Sequence, residues 1–292
     1  MKHLRERARL LAETRTFFTS RGYLEVETPI AVPSPGLDLH LDAFEAVGGK
    51  EKRWLATSPE YQMKRLLADG HGRIFQITRA FRAGELGERH NPEFTIVEFY
   101  RAHAGVEAIM RDTEQLVARL TNLRVPVPRM SVSEAFARFA GIAEDEMLRL
   151  AHHDEDTFFE KLAFVIEPEL ARLDPGVFLV DWPLPQASLA RKKPSDPRFA
   201  ERFELYVGGV ELCNGFGELT DAAEQRARFV RDREDRARRG KPVYPIDERF
   251  LDALARGIPE CAGNAIGFDR LVALACGAKT IKDVMAFTDD EL

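Results

Sequence analysis

The sequence predicts a mixed α/β (α+β) fold in a single domain, and three observations predict it. Strand-type alternations stand between stretches of helical periodicity along all 292 residues. No internal repeat and no flexible linker divides them. A content of 45% hydrophobic and 31% charged residues is that of an ordinary globular protein with a substantial core.

The chain opens on MKHLRERARLLAETRTFF, an amphipathic charged helix. The glycine and prolines of RGYLEVETPIAVPSPGLDLHLDAF stop it and impose a short strand and an extended segment. Residues 59–69 have helical periodicity, and RIFQITRAF at 73–81 is a strand. The stretch FRAGELGERHNPEFTIVEFYRA at 81–102 is a charged loop feeding a second strand, on which Phe94, Ile96, Glu98 and Tyr100 share one face. A carboxylate and a phenol beside an aromatic ring describe a pocket floor better than a packed core.

A long helix begins near Gly105, residues 131–173 carry further helical periodicity, and GVFLVDWPLP returns to a strand. His152 and His153 stand among acids, which reads as an exposed face rather than a metal site. In ERFELYVGGVELCNGFGELTD two strand patterns flank Gly208 and Gly209, a two-residue hairpin turn. That turn pairs Tyr206 with Glu211 and sets Glu204 diagonally across from Glu211 on the same face. Two carboxylates so placed repel unless a cation joins them, which leaves an exposed acidic edge and a divalent-metal site both open. Asp221 and Glu224 start a helix whose run EQRARFVRDREDRARRG alternates charge, the pattern of a solvated face, and stops at Gly240. GIPECAGNAIGFDRLVALACGA reads as a Gly-rich strand and turn, then a helix with Arg270 near its start. Backbone amides and a guanidinium at that place suit an anion.

Lys plus Arg total 42 against 48 Asp plus Glu, and a net charge of -6 argues against a broad nucleic-acid footprint. Cys213, Cys261 and Cys276 fit neither a disulfide framework nor a metal spacing, so they read as buried thiols in a reducing compartment. No apolar run approaches the roughly 20 residues of a membrane span, and the amino terminus is not a signal peptide. The expectation is a cytoplasmic protein without a membrane partner.

With these residues in place, the chain resembles the catalytic domain of class II lysyl-tRNA synthetases. It resembles most closely the paralogous family of elongation factor P lysine ligases. RGYLEVETP with Pro29 resembles class II motif 1, the dimerising helix and strand. FRAGELGERHNPEFTIVEFY resembles motif 2 and GFDRL resembles motif 3. Their order and spacing, with TSPEYQMKRLL between the first two, make the resemblance specific across nearly the whole length. The Gly-rich nucleotide motifs of Rossmann and P-loop proteins are absent.

The resemblance implies the class II aminoacyl-tRNA synthetase catalytic fold, an antiparallel sheet flanked by helices that binds ATP in a bent form. Arg82 would hold the α-phosphate and the amino acid carboxylate, and Arg270 the γ-phosphate; both would be catalytic. Ala83, Gly84, Glu85, His90 and Asn91 would line the nucleotide with Leu212 and Gly267, and Phe94 would stack on adenine. Glu204 and Glu211 would hold Mg²⁺, the latter also facing the nucleotide. Glu98, Tyr100 and Glu218 match the residues that grip a lysine ε-ammonium; two carboxylates around one ammonium give a buried charge its partners. Ser58, Pro59 and Glu60 match the loop near the substrate amino group, and Asn214 and Ala265 complete the substrate pocket. The substrate carboxylate would attack phosphorus, so positioning and electrostatics supply the rate.

Departures from the synthetase pattern bear on the acceptor. A complete lysyl-tRNA synthetase carries an anticodon-binding barrel before motif 1, whereas here motif 1 begins near residue 3. The expectation is therefore one catalytic domain over residues 1–292 without an anticodon-binding domain. Ala265 stands where the synthetases carry Gly, as in the elongation factor ligase family, whose preferred substrate is (R)-β-lysine. Gly84 takes the place of the usual motif 2 Glu, and Glu85 follows it. The expected activity is an ATP-dependent, AMP-forming ligation of (R)-β-lysine or L-lysine to a lysine of elongation factor P, by a homodimer. That partner would be guided by Arg191, Lys192 and Lys193 or by arginines after Asp221, unless these serve only solubility. The rivals are a truncated synthetase-like enzyme that loads a tRNA or small amine, and an inactive lysine or nucleotide sensor.

Overall fold

The computed structural model describes residues 3–292. The chain divides into two compact units. One takes the chain through His103 together with Thr220–Cys261 and Ala265–Leu292; the other takes Ala104–Leu219 and Ala262–Asn264. The strand Cys261–Gly267 therefore carries residues of both.

In the first unit the expected helix runs from Leu4 to Thr19 and buries Leu10, Thr14, Phe17 and Phe18. Its apolar stripe meets a sheet in which Leu24–Glu25 lies parallel to Arg73–Phe81, and Arg73–Phe81 runs antiparallel to Glu93–Ala102. The antiparallel register pairs Arg73 with Arg101 at one end and Phe81 with Glu93 at the other. Strand alternation gives this ribbon two different faces. Phe75 and Phe99 face the helix, where the Phe18 ring stacks on Phe75 at 4.7 Å and lies 4.9 Å from Phe99. Burying such aromatic surface gains on the order of 2–3 kcal/mol per ring. The opposite face carries Phe94, Ile96, Glu98 and Tyr100 beside Ala80, Thr78, Gln76 and Ile74.

Three further helices of this unit, Glu60–Ala68, Ala222–Arg238 and Glu248–Gly257, share one aromatic core. Tyr61 stacks on Phe250 at 4.8 Å with the rings 2° apart, and Phe229 closes the cluster. The charged helix is not solvated all round: Arg228 is buried and Arg236 has no exposed surface at all. Arg226, Arg231, Arg233 and Arg238 form the exposed face expected of the charge alternation, and Arg228 and Arg236 depart from it by turning inward to polar groups.

The second unit pairs Arg129–Ser131 in parallel with Val177–Pro183, which runs antiparallel to Asp196–Val207 and through it to Val210–Gly217. The short helices within 132–170 cover a core that includes Phe136, Phe158 and Trp182, while the helix Val106–Leu120 packs against Asp196–Val207 and Val210–Gly217. Phe136 and Phe158 stack at 4.8 Å. His152 and His153 are exposed, as expected, in the last turn of the helix Glu144–His153. All three cysteines are free thiols; Cys213 and Cys261 are buried, and burial raises the Cys213 thiol well above its ordinary value. Among the described residues no helix is long and apolar enough to cross a membrane.

Candidate active site

The shared face anticipated from alternation is present in the first unit. Glu98 and Tyr100 are both buried, and the Tyr100 hydroxyl donates to Glu98 Oε1 at 2.6 Å. Directly across the strand pair from Glu98 stands Gln76, which is 2% exposed. Its Oε1 is buried and has no hydrogen-bond partner among the described residues. Sequence reasoning passed over Gln76, although the nine-residue antiparallel pairing carries the signal: its face is the face of Glu98.

At the end of the same ribbon Arg82 leaves the strand. Its Nε donates to the Thr57 carbonyl at 3.4 Å, its guanidinium lies 5.0 Å from the Phe94 ring centroid, and Glu85 sits 3.8 Å from Nη1. Such a loosely held guanidinium keeps most of its donors for an anion. Gly84, the departure from the motif, has φ +82°, a left-handed conformation that glycine adopts without the strain of a side chain. The turn it makes brings Glu85 back toward Arg82. Farther along the loop, Asn91 is buried. Its Oδ1 accepts from the Asp289 N–H at 2.9 Å and its Nδ2 donates to the Glu93 carbonyl at 2.7 Å, so it ties the loop to the carboxy-terminal segment.

Motif 3 reaches the same loop. Arg270, in the first turn of the helix Phe268–Cys276, donates through Nε to the Arg89 carbonyl at 3.3 Å and meets His90 Nε2 through Nη2. Gly267 caps that helix with extended backbone, and Ala265 lies half-buried two residues earlier. A buried anchor holds the helix start. Asp269 accepts from the Thr95 N–H at 2.7 Å and pairs with Arg7 at 2.6 Å, and Arg7 also donates to Thr95 Oγ1 at 2.8 Å. These three residues were not legible as a group, since they come from three distant segments.

The segment before the helix Glu60–Ala68 lies against the ribbon's end, where the Phe81 N–H donates to the Ala56 carbonyl at 3.0 Å. Ser58 Oγ accepts from the Glu60 N–H at 3.1 Å, Pro59 occupies the helix cap, and Glu60 is only partly exposed. Lys64, one turn on and 1% exposed at its side chain, holds Glu60 Oε1 at 2.5 Å. A second support comes from the buried Arg236. Its Nη1 donates to the carbonyls of Asp38 at 2.6 Å and Leu41 at 2.9 Å, its Nε to that of Pro242 at 2.7 Å, and its Nη2 to the Asp42 carboxylate. The Asp42 carbonyl in turn accepts the Ala83 N–H at 2.7 Å, one residue beyond Arg82.

The second unit carries the acidic hairpin. Gly208 and Gly209 both have positive φ, +57° and +78°, as a two-residue turn between right-twisted strands requires. Val207 pairs with Val210 and Tyr206 with Glu211, as expected. Beyond that pair the register skips Leu212, so Leu205 meets Cys213 and Glu204 meets Asn214. This bulge is what sets Glu204, Tyr206, Glu211 and Asn214 on one face. Gly215 follows because Phe203 stands opposite: a Cβ there would lie 2.3 Å from its ring.

Glu204 Oε2 accepts from Tyr206 at 2.8 Å, and Oε1 from Arg202 at 2.5 Å; Arg202 Nε also donates to Asn214 Oδ1 at 3.1 Å. Burial pushes the Glu204 carboxyl up to about 7; Arg202 opposes the rise and Glu211 adds to it. Among the described residues no group of three or more His, Cys, Asp or Glu is arranged for a metal. Two carboxylates on one face suit Mg²⁺, which is commonly held by one or two carboxylates together with substrate phosphates. Glu218 is buried in the same unit, just beyond the strand, with its backbone bridged to Ala190.

The family model described as tRNA synthetases class II (D, K and N) matches residues 1–291. The chain is 44% identical to the elongation factor P--(R)-beta-lysine ligase of Salmonella paratyphi B, over 99% of this chain and 95% of that protein. The proteins of the same name from Salmonella heidelberg and Salmonella agona match with the same identity and coverage.

Proposed function

The chain belongs to the class II tRNA synthetase (D, K and N) family, and from that premise we propose an AMP-forming lysine ligase. It activates (R)-β-lysine, or lysine, as an adenylate and transfers the acyl group to a lysine of elongation factor P. The observation that carries this reading is the 44% identity, over nearly the full length of both chains, to ligases named for that reaction. The buried Glu98–Tyr100 floor supports the amino acid class, since a carboxylate oriented by a phenol suits an ammonium.

In this reading residues 1–292 act as one catalytic domain, and the reaction has two steps. A carboxylate oxygen of lysine attacks the α-phosphorus of ATP; the bond to the pyrophosphate oxygen breaks and pyrophosphate leaves. The neutral amine of the acceptor lysine then attacks the acyl carbonyl, loses a proton, and AMP leaves. Arg82 binds the α-phosphate and the lysine carboxylate and neutralises charge that grows as the phosphorus becomes five-coordinate. Arg270 holds the γ-phosphate with His90 beside it, while Ala83, Gly84, Glu85 and Asn91 shape the loop over the nucleotide and Phe94 offers its face to adenine. Glu98 and Tyr100 take the ε-ammonium, with Glu218 in the same role; Ser58, Pro59 and Glu60 orient the other amino group. Glu204 and Glu211 are the residues that would hold Mg²⁺, which when bound draws charge from the phosphates.

Incubating purified elongation factor P with this protein, ATP, Mg²⁺ and either lysine isomer, followed by intact-mass measurement, tests the reading. One added lysyl unit, formed faster from (R)-β-lysine than from L-lysine and with far slower charging of lysine tRNA, is expected. Efficient tRNA charging beside unmodified elongation factor P would overturn it. Assembly is part of the same reading: motif 1 elements form a two-fold interface, so light scattering should give the mass of a homodimer.

A further inference from the structure

The inference begins from Gln76, a buried side chain to which the reading above gives no task. It lies on Arg73–Phe81 with its Cα directly opposite that of Glu98, so both side chains emerge on the floor face. It is 2% exposed, and Oε1 has no hydrogen-bond partner among the described residues. Its neighbours on that face do not supply a donor: Ile74 and Ala80 are apolar, the Thr78 hydroxyl donates to the Arg79 carbonyl at 3.4 Å, and the Tyr100 hydroxyl proton is already directed at Glu98 Oε1. A buried amide oxygen without a donor is costly to a folded chain and is kept where something outside the chain supplies the donor.

The donor that fits is a primary ammonium. Such a group has three N–H bonds and no acceptor, and it is satisfied when three oxygens converge on it. A neutral amide oxygen facing a carboxylate adds an acceptor without a second negative charge directly across the strand pair, which would be repulsive. We propose that Gln76 is a specificity-determining residue whose Oε1 accepts a hydrogen bond from the distal ammonium of the lysine-type substrate. This rests on the assignment of Glu98 and Tyr100 to that ammonium. It extends the pocket by one residue that recognises the count of N–H donors and not the charge alone.

Two substitutions give opposite signatures. Gln76→Met removes the unsatisfied oxygen and keeps the length, so the ligand-free protein should melt about 2 °C or more higher. Its dissociation constant for L-lysine and for (R)-β-lysine, by titration calorimetry, should rise at least tenfold, with that for ATP unchanged within twofold. Gln76→Glu retains an acceptor and sets two carboxylates face to face. The ligand-free protein should melt lower, and saturating lysine should raise its melting temperature by more than it raises the parent's. A residue that only packs the sheet would destabilise as Met, would lose lysine and ATP affinity together, and would show no enlarged lysine-induced shift as Glu. That pattern, or lysine binding by Gln76→Met within twofold of the parent, overturns the proposal. The parent's own titration separates the two levels: a parent that does not bind lysine refutes the ligase reading and this proposal together, whereas a parent that binds beside an indifferent Met variant refutes only the role of Gln76.

Discussion

Tyr100 donates its hydroxyl proton to Glu98 Oε1 at 2.6 Å, two residues back along one strand and on the same buried face. The bond orients the carboxylate and leaves the phenol oxygen able to accept. Tyr100→Phe keeps the ring and removes this hydrogen bond to a charged group, a loss on the order of 2 kcal/mol. KM for lysine in lysine-dependent pyrophosphate–ATP exchange should rise tenfold or more, with KM for ATP unmoved. An unchanged lysine KM would take the phenol out of the substrate pocket.

Arg82 opens the loop whose far end, at Arg89 and His90, meets Arg270. Loss of a charge clamp in the transition state costs about 3 kcal/mol or more. Arg82→Ala and Arg270→Ala should each lower the exchange rate at least a hundredfold at unchanged melting temperature. Parental rates in both variants would refute the assignment.

Arg236 works at a distance from the reacting groups. Its donors hold the backbone at Asp38, Leu41 and Asp42, and Asp42 holds the Ala83 amide. Arg236→Met leaves those buried carbonyls and the Asp42 carboxylate without their donor, at a cost on the order of 3 kcal/mol. The melting temperature should fall by several degrees, and the Ala83 amide should exchange with solvent deuterium faster than in the parent. Undiminished protection at Ala83 would show that Asp42 holds its place unaided.

The pH dependence of stability should carry the mark of Glu204. Its folded pKa, about 7, lies above the ordinary carboxyl value of 4.5. Below that ordinary value the group is protonated in both states. As pH rises from there to about 7, the unfolded chain releases the proton that the folded chain keeps, so stability falls across this window and levels off above it. Glu204→Gln lacks the titration. The difference in melting temperature between the variant and the parent, without divalent ions, should grow in the variant's favour over the same window. A difference flat with pH would mean that Arg202 fully compensates the buried charge.

Ala265, which stands where synthetases carry Gly, is the residue proposed to set isomer choice. Ala265→Gly gives the α-amino group more space and should narrow the preference for (R)-β-lysine over L-lysine, read as the ratio of kcat/KM values for the two. An unchanged ratio would remove that role from Ala265 alone.

Much of the floor was legible because strand alternation is a strict rule: once 73–81 and 93–102 are strands, the company of Glu98 follows. The turn at Gly208 and Gly209 was legible for a similar reason, since both positions need positive φ. What could not be read were contacts between segments far apart in the chain. Asp269 with Arg7, and Arg236 with the carbonyls of Asp38 and Leu41, join residues nearly 200 or more positions apart. Alternating charge in a helix looks the same whether its arginines meet water or buried carbonyls. Gly84 appeared as a missing Glu, and its positive φ is a feature of the backbone that the residue pattern alone does not display.

The skipped residue at Leu212 has a consequence for how the hairpin can vary. Glu211 and Asn214 are separated by an odd number of steps, so on an unbroken strand one would point up and the other down. The extra residue acts as a phase shifter between two halves of the strand. A single deletion at Leu212 would preserve the turn and leave Glu211 and Asn214 two steps apart, on one side under plain alternation, with Leu205 still facing Cys213 and Glu204 still facing Asn214. The hairpin should therefore keep its polar face when this residue is lost, whereas loss of Leu205 from the partner strand would send Glu204 and Tyr206 to opposite sides.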